Sequence, residues 1–302
     1  INDRNQEAAD LIKENSKKFD EDIRVTCDDA NRLMYSEKFD AVDLDPFGSP
    51  IPFLDAASRS AKNYLYITAT DTAPLCGAHF QAGRRRYFST PKNTEYHAEV
   101  GLRIMLFAAA RELVKYDRGM QPLLSFADQH YFRTFVKILP HVTAADETLS
   151  QIGFIMQCPK CLYRGEQKGS LLPKTHHCPY CGIETEAIGP LWMGSISDKQ
   201  VIRSMIGSLP DMKLRTEKKI EKMLNLLISE PEGCSFYDYH VISKTLKMSP
   251  PNMSEMIDGL NDLGYKTART HFAPTGIKTE ASLDVLEKWI IDWNKKKYQS
   301  QI

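Results

Sequence analysis

The chain has 302 residues with 42% apolar side chains, enough for two domains and a substantial core. No apolar run is long enough for a membrane-spanning helix and no signal peptide is visible, so a cytoplasmic protein is expected. Thirty-nine basic side chains balance 39 acidic ones, which excludes nucleic-acid binding through overall charge and requires any basic surface to be local.

The first residues, Ile1-Asn2-Asp3, read as the end of a strand already inside a domain. No G-x-G-x-x-G segment precedes Asp3, although a nucleotide-type cofactor site ordinarily uses one. A segment upstream of this chain is therefore expected. Asn5 to Lys18 has helix-forming composition, with Ala8, Ala9, Leu11 and Ile12 on its apolar face. Asp3 fits two roles: binding ribose hydroxyls at a strand end, or capping this helix. Ile23 to Cys27 reads as a short strand, followed by Asp28-Asp29-Ala30-Asn31, a run of turn and capping residues.

Phe39-Asp40-Ala41-Val42-Asp43-Leu44-Asp45-Pro46-Phe47-Gly48-Ser49-Pro50 is a strand that stops at a tight loop. The Asp45 carboxylate accepts hydrogen bonds, Pro46 fixes the backbone so that a nearby carbonyl accepts a second, and Phe47 offers a face for a planar base. Two acceptors aimed at an exocyclic amine favour its pyramidal form, which returns the delocalised lone pair to nitrogen. An Asp-Pro turn closing a strand is the simpler alternative.

Ile51 to Ala61 is expected to be helical and Tyr64 to Ala69 a strand. Strands alternating with helices predict a mostly parallel α/β sheet with ligands at its carboxyl edge, where Asp3, Asp29, Asp45 and Asp71 all fall. Arg84-Arg85-Arg86 reads as a loop that clamps phosphates or as a solvated charge run. Cys76 has no base paired with it in the sequence and reads as a packed thiol. Glu95 to Tyr116 predicts a long core helix with Gly101 at a close approach. Gln121 to Ala127 and Thr134 to Leu139 predict an antiparallel edge pair.

Cys158-Pro-Lys-Cys161 and Cys178-Pro-Tyr-Cys181, sixteen residues apart, have the spacing of a four-thiolate zinc ribbon, with Gly165 and Gly182 supplying turns. Four thiolates leave no open position for water, so the expected Zn2+ is structural. From Ser197 onward the texture becomes helical. Ile220, Met223, Leu224, Leu227 and Ile228 form one stripe, and a second helix covers Tyr237 to Lys247. A third begins at Ser249-Pro250 and ends before Gly264, and a hairpin follows around Pro274-Thr275-Gly276. That order matches a winged helix, a nucleic-acid-binding shape, or else a packing domain. Residues 198–302 carry 16 basic and 14 acidic side chains, so charge does not choose between them.

The Asp45-Pro46-Phe47 loop resembles the acid-Pro-aromatic loop of methyltransferases that act on amino groups. With Gly-Ser-Pro after it, it is similar to the tRNA guanine-26 N2-dimethyltransferase family. Three other stretches resemble the same family: Thr68 to His79, Gly189-Pro190-Leu191-Trp192-Met193-Gly194, and Arg269 to Thr279. The resemblance implies a Rossmann-like class I methyltransferase sheet over 1–196, incomplete at its amino-terminal end and containing the zinc ribbon at 156–186. It implies a winged-helix-like tRNA-binding domain over 197–302. It further implies S-adenosylmethionine held by Asp3, Asp29 and Ala30, catalysis by Asp45, Pro46 and Phe47, and tRNA contacts from Arg84, Arg85, Arg86, Arg269, His271 and Lys278. The product that the resemblance implies is mono- or dimethylated guanine 26, and a monomer is expected. An amino methyltransferase with another acceptor, or a non-catalytic nucleic-acid binder, are the competing readings.

Overall fold

The computed structural model describes residues 1–19 and 21–299. Its first part alternates strand and helix: β1 (Asn2–Asp3), α1 (Gln6–Ser16), β2 (Thr26–Cys27), α2 (Ala30–Ser36), β3 (Phe39–Leu44), α3 (Ile51–Ser60) and β4 (Ala61–Ala69). β1 pairs with β2 and β3 with β4, both in parallel as the alternation predicts, but the two pairs lie in separate sheets and not in one mostly parallel sheet. The chain then forms α4 (Thr72–Leu75), α5 (Phe80–Tyr87), α6 (His97–Val114), β5 (Gly119–Asp128) and β6 (Tyr131–Leu139). β6 runs antiparallel to both β4 and β5, which gives the order β3-β4-β6-β5. The expected edge pair is present, and longer than the sequence indicated.

α6 is buried on nearly every face, from Glu99 to Leu113, so it is a central helix and not an amphipathic surface one. A Cβ on Gly101 would lie 2.7 Å from the Phe132 ring, which explains why this position has no side chain. Behind α6 stand α7 (Val142–Ser150), β7 (Ile152–Gln157), β8 (Arg164–Lys168) and β9 (Glu186–Trp192), the strands ordered β8-β7-β9. The two Cys knuckles hang from the ends of these strands. Gly182 turns with φ of +72°, but Gly165 lies within β8, where a Cβ would approach the Tyr163 hydroxyl.

α8 (Lys199–Met212) and α9 (Glu217–Ser229) form a helical hairpin. Ile202, Leu209, Leu224 and Leu227 pack with Leu124 of β5, so the hairpin covers part of the β3-β4-β6-β5 sheet. The last elements are β10 (Tyr237–Asp238), α10 (Tyr239–Thr245), α11 (Met253–Asp262), β11 (Thr267–Arg269), β12 (Gly276–Thr279) and α12 (Leu283–Gln299). The small sheet is ordered β10-β12-β11 around a core of Ile242, Met256, Leu260, Ile277 and Leu286. α11 starts at Asn252 and not at Ser249-Pro250. Asn252 and Glu255 form a capping box, which satisfies two amide donors that the proline start leaves open.

The C-terminal elements are joined to α6 by buried charges. Glu99 and Arg103 sit one turn apart on α6, and Lys278 enters from β12. Arg103 donates to Glu99 Oε1 at 2.9 and 3.0 Å, and Lys278 Nζ donates to the same oxygen at 2.7 Å. Arg103 also donates to the carbonyls of Trp192, Gly194 and Gly233. The Gly-Pro-Leu-Trp-Met-Gly run therefore supplies carbonyls to this centre. Glu230 accepts from the His271 amide at 2.7 Å, from His271 Nδ1 at 2.6 Å and from Thr270 Oγ1. Burial pushes the Glu230 carboxyl up, but His271 and Lys278 outweigh it and hold it below its ordinary value.

Removing one partner from such a set strands a charge in the interior, which costs about 3–5 kcal/mol. Lys278→Met is expected to lower unfolding free energy by that amount, read from urea midpoints. Lys266→Met, at an exposed pair 3.9 Å long, should change it by less than about 0.5 kcal/mol. Equal effects would refute the reading that these buried charges weld β12 to α6. Because the folded carboxyl of Glu230 is depressed, its contribution is complete above the ordinary glutamate value of about 4.3 and disappears as pH falls through the folded one. The stability gap between wild type and Glu230→Gln should thus be full at pH 7 and shrink below pH ~4.

Candidate active site

The Asp45 loop leaves β3 at the carboxyl edge of the sheet. Asp45 is exposed, Pro46 is half-buried and the Phe47 ring is wholly in solvent, at 106% relative exposure. Beneath this open tip the backbone is held firmly. Gly48, at φ +86°, donates to Thr70 Oγ1 at 2.7 Å, and the Thr70 amide donates back to the Gly48 carbonyl at 3.0 Å. Only glycine adopts this backbone conformation readily. Ser49 Oγ lies 3.0 Å from the Tyr87 hydroxyl, which donates to Asp71 Oδ1 at 2.6 Å. Burial first, and Asp71 beside it, push the Tyr87 hydroxyl up, so it stays protonated and keeps donating. The loop is therefore clipped to the end of β4 and to α5.

Arg84, Arg85 and Arg86 lie on α5, not on a loop. Successive helical residues point about 100° apart, so the three guanidinium groups do not converge on one phosphate. Arg86 donates to Asp71 Oδ2 at 3.1 Å, and Arg84 sits 5.7 Å from the centre of the Phe80 ring. Asp3 accepts from the Asn5 amide through Oδ1, and Asn5, not Asp3, caps α1. Asp29 caps α2 by accepting from the amides of Asn31 and Arg32 through Oδ1, and Ala30 is the first residue of that helix. β1 and β2 are in register at Asp3 and Cys27, which sets Asp3 next to the Asp28-Asp29 turn. Among the described residues the second oxygens of Asp3 and Asp29 have no hydrogen-bond partner. Cys76 is a packed thiol, pushed up to about 12 by burial.

Two residues expected to touch RNA do not reach the surface. The His271 side chain is wholly buried against Glu230, and the Lys278 side chain is 3% exposed between Glu99 and Glu230. Arg269 is exposed on β11. The signature they share is thus in large part a packing signature. Sequence reasoning also missed Arg164. It is buried in the ribbon, paired with Glu95 at 2.9 Å and stacked 4.3 Å from Tyr96 and 4.0 Å from Tyr237, so it joins all three parts of the chain. The available signal for the weld was Glu99 and Arg103, four residues apart in an otherwise apolar helix.

The sulfurs of Cys158, Cys161, Cys178 and Cys181 lie within 4.8 Å of one another, with the closest approaches at 3.4 and 3.5 Å. A tetrahedral Zn2+ with Zn–S bonds of about 2.3 Å requires sulfurs about 3.8 Å apart, so the set fits the ion. Burial opposes the Cys158 thiolate. The amides of Cys161 and Lys160, each 3.4 Å from its sulfur, outweigh that and bring it down to about 7.

Two parallel strand pairs with acids at their carboxyl ends, an Asp-Pro-Phe loop and a four-cysteine cluster describe a methyltransferase-type enzyme. Among solved structures, the complex of Trm1 from Pyrococcus horikoshii with S-adenosyl-L-methionine is similar, with a TM-score of 0.88 and 38% identity over 96% of this chain and 81% of that one. The family model for N2,N2-dimethylguanosine tRNA methyltransferase matches residues 1–291, and the chain belongs to that family. The tRNA (guanine(26)-N(2))-dimethyltransferase of Methanocorpusculum labreanum is 62% identical over 99% of this chain and 79% of its own length. The enzyme of the same name from Methanosphaerula palustris is 51% identical over 95% and 77%.

With zinc in place, Cys27 is the one exposed thiol among seven, while burial pushes Cys76 and Cys234 up to about 12. A thiol reagent at pH 8 should titrate about one fast cysteine, and about five after chelation, with one zinc released per chain. Five fast thiols before chelation, or no metal in the isolated protein, would reject the site. Cys158→Ser should lose the metal and unfold the ribbon.

Proposed function

We propose that the chain methylates the exocyclic N2 amine of guanine 26 in tRNA, once or twice, with S-adenosylmethionine as donor. The observation that carries this reading is the Asp45-Pro46-Phe47 loop at the carboxyl end of a parallel strand, in a chain 62% identical to an enzyme of that name. The cofactor, when bound, supplies an electrophilic methyl group on a sulfonium. The open carboxylate oxygens of Asp3 and Asp29 suit its ribose and adenine ends, with Ala30 beside them.

Guanine 26 lies within the folded tRNA, so it must be extruded to be reached. Phe47, fully exposed on a clipped loop, supports stacking on the extruded base. Asp45 accepts from one amine N–H and a loop carbonyl from the other, which localises the nitrogen lone pair and leaves Asp45 to take the departing proton. Cys76 is half-buried with its thiol pushed up to about 12, so the reading uses no covalent step on the chain. The zinc has a structural role, since all four of its positions are thiolates. β10, α10, α11, β11 and β12 together follow the order of a winged helix, and we read them with α9 as the tRNA-binding module of a monomer.

Two tRNA transcripts that differ only by guanine or adenine at position 26, incubated with labelled S-adenosylmethionine, test the reading. Label in the guanine transcript alone is expected. Equal label in both rejects the site, and label in neither rejects the enzyme. Asp45→Ala should reduce transfer by about 10²-fold or more with tRNA affinity within about twofold of wild type. Undiminished transfer would remove Asp45 from the mechanism.

A further inference from the structure

Of the basic residues in the Arg269–Thr279 stretch only Arg269, on β11, is exposed, and the helix that the winged-helix order would put in the groove carries none. In that shape the helix corresponding to α11 enters the nucleic-acid groove. Here α11 carries Glu255, Asp258 and Asp262 and no basic residue. His271 and Lys278 are buried, and Arg86 is engaged by Asp71.

Positive charge collects instead at the turn between α8 and α9. Residues 213–222 hold five basic side chains, Lys213, Arg215, Lys218, Lys219 and Lys222, against Glu217 and Glu221. All five are exposed. Lys219 donates to Asp128 at 3.1 Å; among the described residues the other four have no ion-pair or hydrogen-bonded partner for their side chains. At about 100° per residue, Lys218 and Lys222 point directly away from the buried face of Met223, Leu224 and Leu227. Lys219 lies on the flank toward Asp128, and Glu217 and Glu221 lie on the opposite flank. The charges on α9 are therefore sorted by side.

Of these residues Lys219 alone lies on the flank toward the reacting edge, and Lys218 and Lys222 face outward beside it. Asp128 ends β5, and the β5–β6 turn stands beside the end of β4, where Ala69 pairs with Phe132. Tyr131, the first residue of β6, is close enough to Asp45 to sense its charge: burial, then Asp128, and to a smaller degree Asp45 push its hydroxyl up. A strained backbone marks the turn as well. Lys213 ends α8 with φ of +48°, a position where glycine or asparagine is usual.

We propose that the α8–α9 turn and the outward flank of α9 bind phosphates of the tRNA substrate, with Lys213, Arg215, Lys218 and Lys222 as the contacts, while α11 stays out of the groove. The proposal rests on the function given above. Four exposed cations in ten residues, without ion-pair partners among the described residues, complement a phosphate backbone, and the packing of α8 and α9 on Leu124 of β5 holds them on the sheet that carries the Asp45 loop.

The test is the full chain with K213Q, R215Q, K218Q and K222Q combined, assayed on the guanine-26 transcript across salt concentrations. KM for tRNA should rise about tenfold or more, and kcat at saturating tRNA should stay within about twofold. The slope of log affinity against log salt should become shallower by about 3, the share of four phosphate contacts. The same four positions changed to Arg or Lys should retain affinity, which separates charge from local structure. Unchanged KM and slope in the Gln variant, with a wild type that labels guanine 26, overturn the surface alone. A wild type that binds no tRNA overturns the surface and the function together.

Discussion

Glu99 is a carboxylate with no access to water, and the arrangement of the molecule depends on it. Burying it is costly unless cations meet it at close range. Arg103 meets it from its own helix, and Lys278 arrives from β12, 179 residues further along the chain. Lys278 also lies 3.8 Å from Glu230, which holds His271 on the preceding segment. The C-terminal module therefore has one docking position on α6, and any other strands charges in the interior. Arg164, stacked between Tyr96 and Tyr237, makes the same connection through the ribbon.

This rigidity bears on the reacting edge. α6 packs on β5 and β6, β6 pairs with β4, and Thr70, just past the end of β4, clips Gly48. Tyr87 and Asp71 hold the next residue of the loop through Ser49. A loop tip as exposed as Phe47 would ordinarily be mobile, but its base is bonded on two sides. An open aromatic face on a fixed base suits a substrate that must bring its own base into the site.

The zero net charge, awkward for an RNA enzyme, becomes intelligible once positions are known. Much of the basic content is internal or paired: Arg103, Arg164 and Lys278 are buried, and Arg86 and Arg133 are held by aspartates. The cations around the α8–α9 turn that lack ion-pair partners among the described residues are a small exposed set. Local sorting can provide a phosphate-binding surface without a global excess.

Short-range chemistry is what the sequence by itself determined. The alternation of strands and helices, the Asp-Pro-Phe loop and the two C-x-x-C knuckles depend on neighbours a few residues away, and each was legible. So was the thiol character of Cys76, because no base accompanies it. Boundaries were less so: the Asn252 cap displaced a plausible proline start by three residues. What only the tertiary structure decided is which charged residues face water. Arg269, His271 and Lys278 lie in one stretch of eleven residues and look alike on paper, yet one is exposed and two are buried. The difference comes from Glu99 and Glu230, which are distant in sequence. Burial is set by partners from other elements, and no local pattern records them.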